Sequence, residues 1–194
     1  IWFSQILSLM SFGFGFPFLP FYIQELGVTD PVTLKIYTGV LNAAPSLTMA
    51  IVAPVWGALA DRYGKKLMLL RSMFSASLII AGTGFATCAE HVLILRAFQG
   101  LFTGTITASA ALVASATPDR HLSYALGFLS SAAFIGYSIA PTIGGFIAEH
   151  VGYRVSFFIG AGLMMADFLL VLFAVKDSGR AEQPVQEPCL VYND

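Results

Sequence analysis

Charge is scarce in this chain. Asp, Glu, Lys and Arg make up 11% of its 194 residues, against roughly a quarter in a soluble domain. Hydrophobic residues reach 57% and mean hydropathy is +0.78, which excludes an ordinary water-soluble globule. Cysteine is scarcer still. Cys88 and Cys189 are the two present; they fall at opposite ends of the expected topology, so neither a disulfide nor a metal site is expected. The net charge is −1, no basic surface can be assembled, and no nucleic-acid partner is expected. The sequence holds no Walker-type phosphate loop, no metal-spaced His or Cys set and no nucleophile elbow. ATP-driven transport and enzyme chemistry both lack their usual residues, and no cofactor or metal is expected.

Long apolar runs are what the chain does have. A membrane-spanning helix needs about 20 mostly apolar residues, and six such segments fit: 1–23, 36–60, 67–87, 92–116, 124–148 and 155–175. The expected fold is all-α and polytopic, with the lipid bilayer as surrounding partner. Residues 1–176 form a six-helix transmembrane bundle, and the polar, Pro-containing stretch 177–194 reads as a cytoplasmic tail or the start of a central linker. The first segment carries no small-residue cleavage site and is expected to stay as a span. Starting at Ile1, the chain is expected to be part of a longer protein.

Lys and Arg favour the cytoplasmic side of short loops. With the 57–66 connection inside, Arg62, Lys65, Lys66, Arg71, Arg120, Lys176 and Arg180 are cytoplasmic, and Lys35 and Arg154 are outside. Both ends of the segment are then cytoplasmic, in the plasma (inner) membrane. A shift of 88 positions lays GALADRYGKK (57–66) on GFIAEHVGYR (145–154), pairing Gly with Gly, Ala with Ala, Asp with Glu, Gly with Gly and Lys with Arg. The copies follow the second and fifth spans, on opposite membrane faces. Chance similarity among Gly- and Ala-rich segments is the alternative to a three-plus-three inverted repeat, the plan of many secondary transporters.

Three motifs in order resemble the major facilitator superfamily, specifically its twelve-helix drug:proton antiporter branch. GALADRYGKK resembles the loop signature between helices 2 and 3. LILRAFQGLFTG (93–104) resembles the helix 4 signature, with Arg96, Gln99, Gly100 and Gly104 in place. GYSIAPTIGG (136–145) resembles the antiporter signature of helix 5, with Gly136, Pro141, Gly144 and Gly145 in place and Ala140 where the family usually has Gly. FLPFYIQELGV (18–28) is similar to bacterial multidrug efflux proteins of this branch. The resemblance spans residues 10–176 and only the amino-terminal half of that fold. It implies a further carboxyl-terminal six-helix half in the same chain and a small-molecule substrate. It also implies drug export driven by the proton gradient.

Each motif also has a physical reading. Asp61 ends a helix where the dipole is already negative, so it needs another partner. The resemblance implies a cytoplasmic gate built from Gly57, Asp61, Arg62, Gly64, Lys65 and Lys66. The simpler role of Lys65 and Lys66 is orientation and attraction to anionic lipid, about 1 kcal/mol each. Arg96 is a charge inside a span, a costly placement that calls for protein or water around it, with Gln99 on the same side. The resemblance makes it part of the proton-coupling network, while snorkelling to the headgroups is the plain alternative. Asp167 lies mid-span: protonated it is tolerated, ionised it needs a partner. It is either a proton carrier or a structural hydrogen-bonding acid.

Small residues recur every fourth position at Ala132, Gly136, Ala140, Gly144 and Ala148, and again at Gly100, Gly104 and Ala108. Such stripes let helix backbones approach closely, and Pro141 can kink its helix. In the first span, SFGFGFPFLPFY (11–22) is broken by Gly and Pro. Phe14, Phe18 and Tyr22, with Asn42 from the second span, are the expected walls of a cavity for a large apolar ligand. The alternatives are another solute, such as a sugar, amine or organic anion, or a half-size sensor or scaffold that transports nothing.

Overall fold

Backbone breaks, more than composition, divide the six spans into eight helices. The computed structural model describes residues 1–175, and Lys176 with the expected 177–194 tail lies outside the described residues. Helix α1 (Trp2–Gly15) and helix α2 (Leu19–Glu25) form one span through the 3-10 turn Phe16–Phe18. Pro17 and Pro20 sit in the first turns of the two segments that follow the break. There their missing N–H groups leave no hydrogen bond unmade. Next come α3 (Pro31–Tyr63), α4 (Lys65–Gly84), α5 (Ala89–Phe102), α6 (Thr105–Ala116), α7 (Asp119–Val151) and α8 (Tyr153–Ala174). Helices α5 and α6 make one span, broken at Thr103 and Gly104, where Gly104 has φ of +150°.

Asp30 caps α3. Its Oδ2 accepts from the Thr33 N–H at 2.8 Å and from Thr33 Oγ1 at 2.6 Å. Those bonds, the side-chain one foremost, hold the Asp30 carboxyl below its ordinary value. Pro31 follows at the first helical position, where its fixed φ suits the helix.

The repeat reaches the helix ends. Gly64 and Gly152 have φ of +97° and +104°, and each ends a 33-residue helix and opens the next. Only glycine enters this region without strain. The same 88-position shift carries Pro31 to Asp119, Lys65 to Tyr153, and the break at Gly15 onto the break at Thr103. A 33-residue helix is about 50 Å long, well beyond the roughly 30 Å hydrocarbon core. The apolar segments 36–60 and 124–148 are therefore only the middles of α3 and α7.

Helix α1 packs against α7 on one side and α8 on the other, α4 packs along α8, and α3 packs along α5. Tyr22, Leu69, Met73, Ile80, Phe157 and Met164 form the core where α2, α4 and α8 meet. Helix α3 has a single buried residue, Leu41. Its remaining face, like Phe134 and Phe146 of α7, stands exposed.

Candidate functional site

A cavity of about 430 Å³ lies among α1, α3, α5, α6 and α7, walled by Phe12, Phe16, Asn42, Arg96, Tyr137 and Pro141 among others. Arg96 stands about two turns into α5 and is 7% exposed. Its Nη1 donates to Gln99 Oε1 at 3.0 Å, and its guanidinium sits 3.9 Å from the Phe16 ring centroid. Its buried Nε has no hydrogen-bonding partner among the described residues. An aromatic face offsets about 2 kcal/mol of a desolvated cation's penalty, and the Gln99 carbonyl supplies one acceptor. Arg96 therefore points inward with donor capacity left over. Snorkelling is set aside by this burial.

Local sequence explains the placement. Gln99 follows Arg96 by three residues and shares its side. The 3-10 turn beginning at Phe16 brings that ring beneath the guanidinium. Gly100 lets α5 lie directly on α3, since a Cβ there would collide with Thr48 Oγ1 and the Pro45 carbonyl oxygen. Thr48 Oγ1 in turn donates to the Ala97 carbonyl at 3.1 Å.

The α1–α7 seam is built the same way. Gly136, Ala140 and Gly144 are buried along it. A Cβ on Gly144 would lie 2.6 Å from the Phe14 carbonyl oxygen, and one on Gly136 would lie 2.9 Å from Leu9 Cβ. Ala140 faces Gly13, whose own missing side chain leaves room for the Ala140 methyl. The departure from the motif's glycine is thus matched on the partner helix. Gly145 lies beside the Phe18 ring. Pro141 is in the cavity wall, and lacks the N–H that would bond the Tyr137 carbonyl. The second small-residue stripe is interrupted: Gly100 packs on α3, but Gly104 is the helix break itself.

The expected aromatic wall is corrected. Tyr22 is wholly buried in the core, where its hydroxyl donates to the carbonyls of Thr83 at 3.1 Å and Ala86 at 3.2 Å. Phe14 is buried against α7, and Phe18 lies beside Gly145. The stripe that does face the cavity is Phe12 and Phe16, two positions away on the helix. Asn42 is in the wall, with its Nδ2 donating to the Thr38 carbonyl at 2.9 Å.

Asp167 is placed elsewhere. It is fully buried between α8 and α1, with Ser8 Oγ donating to its Oδ2 at 2.6 Å and its Oδ1 without a partner among the described residues. It does not line the cavity. Asp61, Arg62 and Gly64 are exposed, Lys65 and Lys66 half-buried, and Arg62 lies over the Tyr63 ring at 5.6 Å. Gly57 and Lys65 border a second, smaller cavity that also contains Trp56 and Arg71. Arg71, counted among the loop cations, is two turns inside α4 and partly buried. Among the described residues no group of three or more His, Cys, Asp or Glu is disposed to hold a metal ion.

Comparison with known proteins agrees with this geometry. The profile of the Major Facilitator Superfamily matches residues 1–188. The chain is 40% identical over 178 residues to the multidrug resistance protein MdtG of Proteus mirabilis (strain HI4320), covering 92% of this chain and 44% of that protein. It is 38% identical over 177 residues to MdtG of Klebsiella pneumoniae (strain 342), covering 91% and 43%. The crystal structure of the human organic anion transporter MFSD10 superposes with a TM-score of 0.78 at 16% identity, over 91% of this chain and 46% of that one. The chain belongs to the Major Facilitator Superfamily, and it is an integral membrane protein with that family's six-helix half-fold. It spans somewhat under half the length of the curated relatives it matches.

Proposed function

We propose that this chain is the amino-terminal half of a secondary active transporter that exports drugs or other small amphipathic molecules across the inner membrane, driven by protons. A second six-helix half closes the cavity from the exposed side of α3 and α7. One charge falling through 100 mV supplies about 2.3 kcal/mol, or roughly a forty-fold gradient, so export needs no ATP. The observation that carries the reading is the cavity of about 430 Å³, aromatic along α1 and holding a buried Arg96 with an open donor. The cavity surface is mostly apolar, with Asn42, Arg96, Gln99, Thr103, Thr105 and Tyr137 as its polar side chains, a mixture that suits amphipathic ligands. The multidrug resistance relatives support the same substrate class.

In this reading both ends of the 1–176 bundle are cytoplasmic. Asp61, Arg62 and Gly64 contact the second half and hold the cytoplasmic gate, while Lys65 and Lys66 fix orientation. Arg96 with Gln99 couples proton to substrate, because its positive charge in a dry wall responds strongly to any nearby change of charge. The α1–α7 seam of Gly136, Ala140, Pro141, Gly144 and Gly145 stays tight while the halves rock. Asp167, bonded by Ser8 and away from the cavity, serves as a structural acid or as a proton carrier outside the substrate path.

One observation favours a second reading, export of organic anions: the described cavity wall contains Arg96 and no Asp or Glu. Efflux from loaded cells expressing the complete polypeptide separates the two. Cationic and neutral dyes leaving in a protonophore-sensitive way support multidrug export. Efflux confined to anionic dyes supports the second reading, and efflux of none, with insertion verified, overturns both.

A further inference from the structure

We propose a second binding site centred on Arg71, at the Gly64 end of the bundle, that takes the carboxylate or phosphate monoester of a small amphiphile. The cavity there is about 240 Å³ and lies among α3, α4 and α6, with Trp56, Lys65, Met68, Arg71 and Ala111 in its wall. The guanidinium of Arg71 is stacked 3.4 Å from the Trp56 ring centroid. Trp56 is itself pinned, since its Nε1 donates to the Leu101 carbonyl at 2.7 Å. The cation therefore sits on a fixed platform, yet its Nε and Nη1 are buried with no hydrogen-bonding partner among the described residues. A ring face offsets part of the desolvation of a guanidinium, but it leaves the N–H donors unmet. An oxyanion satisfies both the charge and the donors.

Three further observations narrow the ligand. The described wall holds Lys65 beside Arg71 and contains no Asp or Glu, so its sign selects anions. The space is about 240 Å³. That is below the usual range for a drug-sized ligand and right for a headgroup with a short apolar stem against Met68 and Ala111. The repeat-related position of Arg71 is Ile159, an exposed apolar residue of α8, so the arginine is not required by the half-fold itself. Met49, Thr103 and Gly104 border both cavities. The break between α5 and α6 thus forms a neck with one arginine on either side.

The test uses the complete polypeptide purified into phosphatidylcholine nanodiscs, in an Arg96→Gln background that removes the cation of the larger cavity. Butyl phosphate, butanol and butyltrimethylammonium are titrated by calorimetry. Saturable binding of butyl phosphate alone is expected, weakened at least about tenfold by Arg71→Gln and partly kept by Arg71→Lys. Ala111→Phe fills the cavity while retaining the cation, so it decides the matter should Arg71→Gln fail to fold; it too should lose binding. No binding of butyl phosphate, equal binding of the ammonium, or binding untouched by both Arg71→Gln and Ala111→Phe overturns the proposal. Competition by phosphatidic acid, whose headgroup is a phosphate monoester, assigns the site to a lipid headgroup, and its absence assigns it to a soluble acid; both outcomes uphold an oxyanion site. The readout is binding, so its failure leaves the export reading where it stands.

Discussion

A methyl group added to Gly13 would fall on the Cβ of Ala140, in the middle of the α1–α7 seam. Both residues are buried, and neither side chain can rotate away, because a methyl has no alternative rotamer. Gly13→Ala must therefore push the helices apart, which overpacking studies place at about 1–3 kcal/mol. Ala140→Gly alone removes the facing methyl and loosens α7, at about 1 kcal/mol. Combined, the two changes move one methyl from α7 to α1 and restore the separation. The double variant should lie within about 1 kcal/mol of the parent, with a coupling of about 1–3 kcal/mol. Gly144→Ala is the control. Its methyl meets the Phe14 carbonyl oxygen at 2.6 Å and Cα at 2.7 Å, backbone atoms that no side-chain swap relieves. The assay is thermal melting of the complete polypeptide in detergent, followed by dye efflux for variants that survive. Additive effects of Gly13→Ala and Ala140→Gly, or a harmless Gly13→Ala, would refute the seam geometry.

The proposed gate and the buried and capping carboxylates give further expected outcomes. Asp61→Asn and Arg62→Ala should each insert normally and lose transport; normal efflux by either would remove the gating role. Asp167→Asn keeps an oxygen for Ser8 Oγ, so stability should change by less than about 1 kcal/mol, whereas Asp167→Leu should destabilise by stranding that hydroxyl. An unchanged pH profile of efflux in Asp167→Asn makes the residue structural, and a flattened one makes it a carrier. Asp30 has a lowered folded value, so its cap is complete above the unfolded value near 3.9. The cap is lost as pH falls through the lowered folded value. The protection factor of the Thr33 amide, its exchange relative to an unstructured chain at the same pH, should therefore hold steady down to about pH 4 and fall only below it. Asp30→Asn should remove that fall, and a protection factor already falling at pH 6 would contradict the cap.

Much of the fold is legible in the sequence because the bilayer imposes one coarse rule: six apolar stretches become six spans. Their ends are less legible, since α3 and α7 run past the apolar windows 36–60 and 124–148 into polar residues that still helix well. The 57–66 and 145–154 similarity already marks the two-fold plan, and Gly64 and Gly152 supply its backbone reason. The break at Gly104 carries no compositional signal beyond a glycine after a threonine, so the fourth span reads as continuous.

The cavity face is where sequence reading fails. In a membrane helix the lipid side and the protein side are both apolar, so Phe14, Phe18 and Tyr22 look like Phe12 and Phe16. The phase is present in other residues. Ser4, Ser8 and Ser11 are buried on α1, and Gly13 shows where α7 presses close. The cavity opens between the serine face and the α7 contact, and Gly13 itself borders it. Arg96 and Gln99 are readable as a pair because charge is so rare, whereas Arg71 is hidden among the loop cations whose count fixes orientation.

The central claim, proton-coupled export through the Arg96 cavity, is tested most directly by substrate-induced proton movement in inside-out vesicles carrying the complete polypeptide. A fluorescent pH probe follows a respiration-generated gradient while amphipathic dyes are added. The account predicts partial collapse of the gradient with the parent protein and none with Arg96→Ala at equal expression. Collapse of equal size in Arg96→Ala would contradict the account.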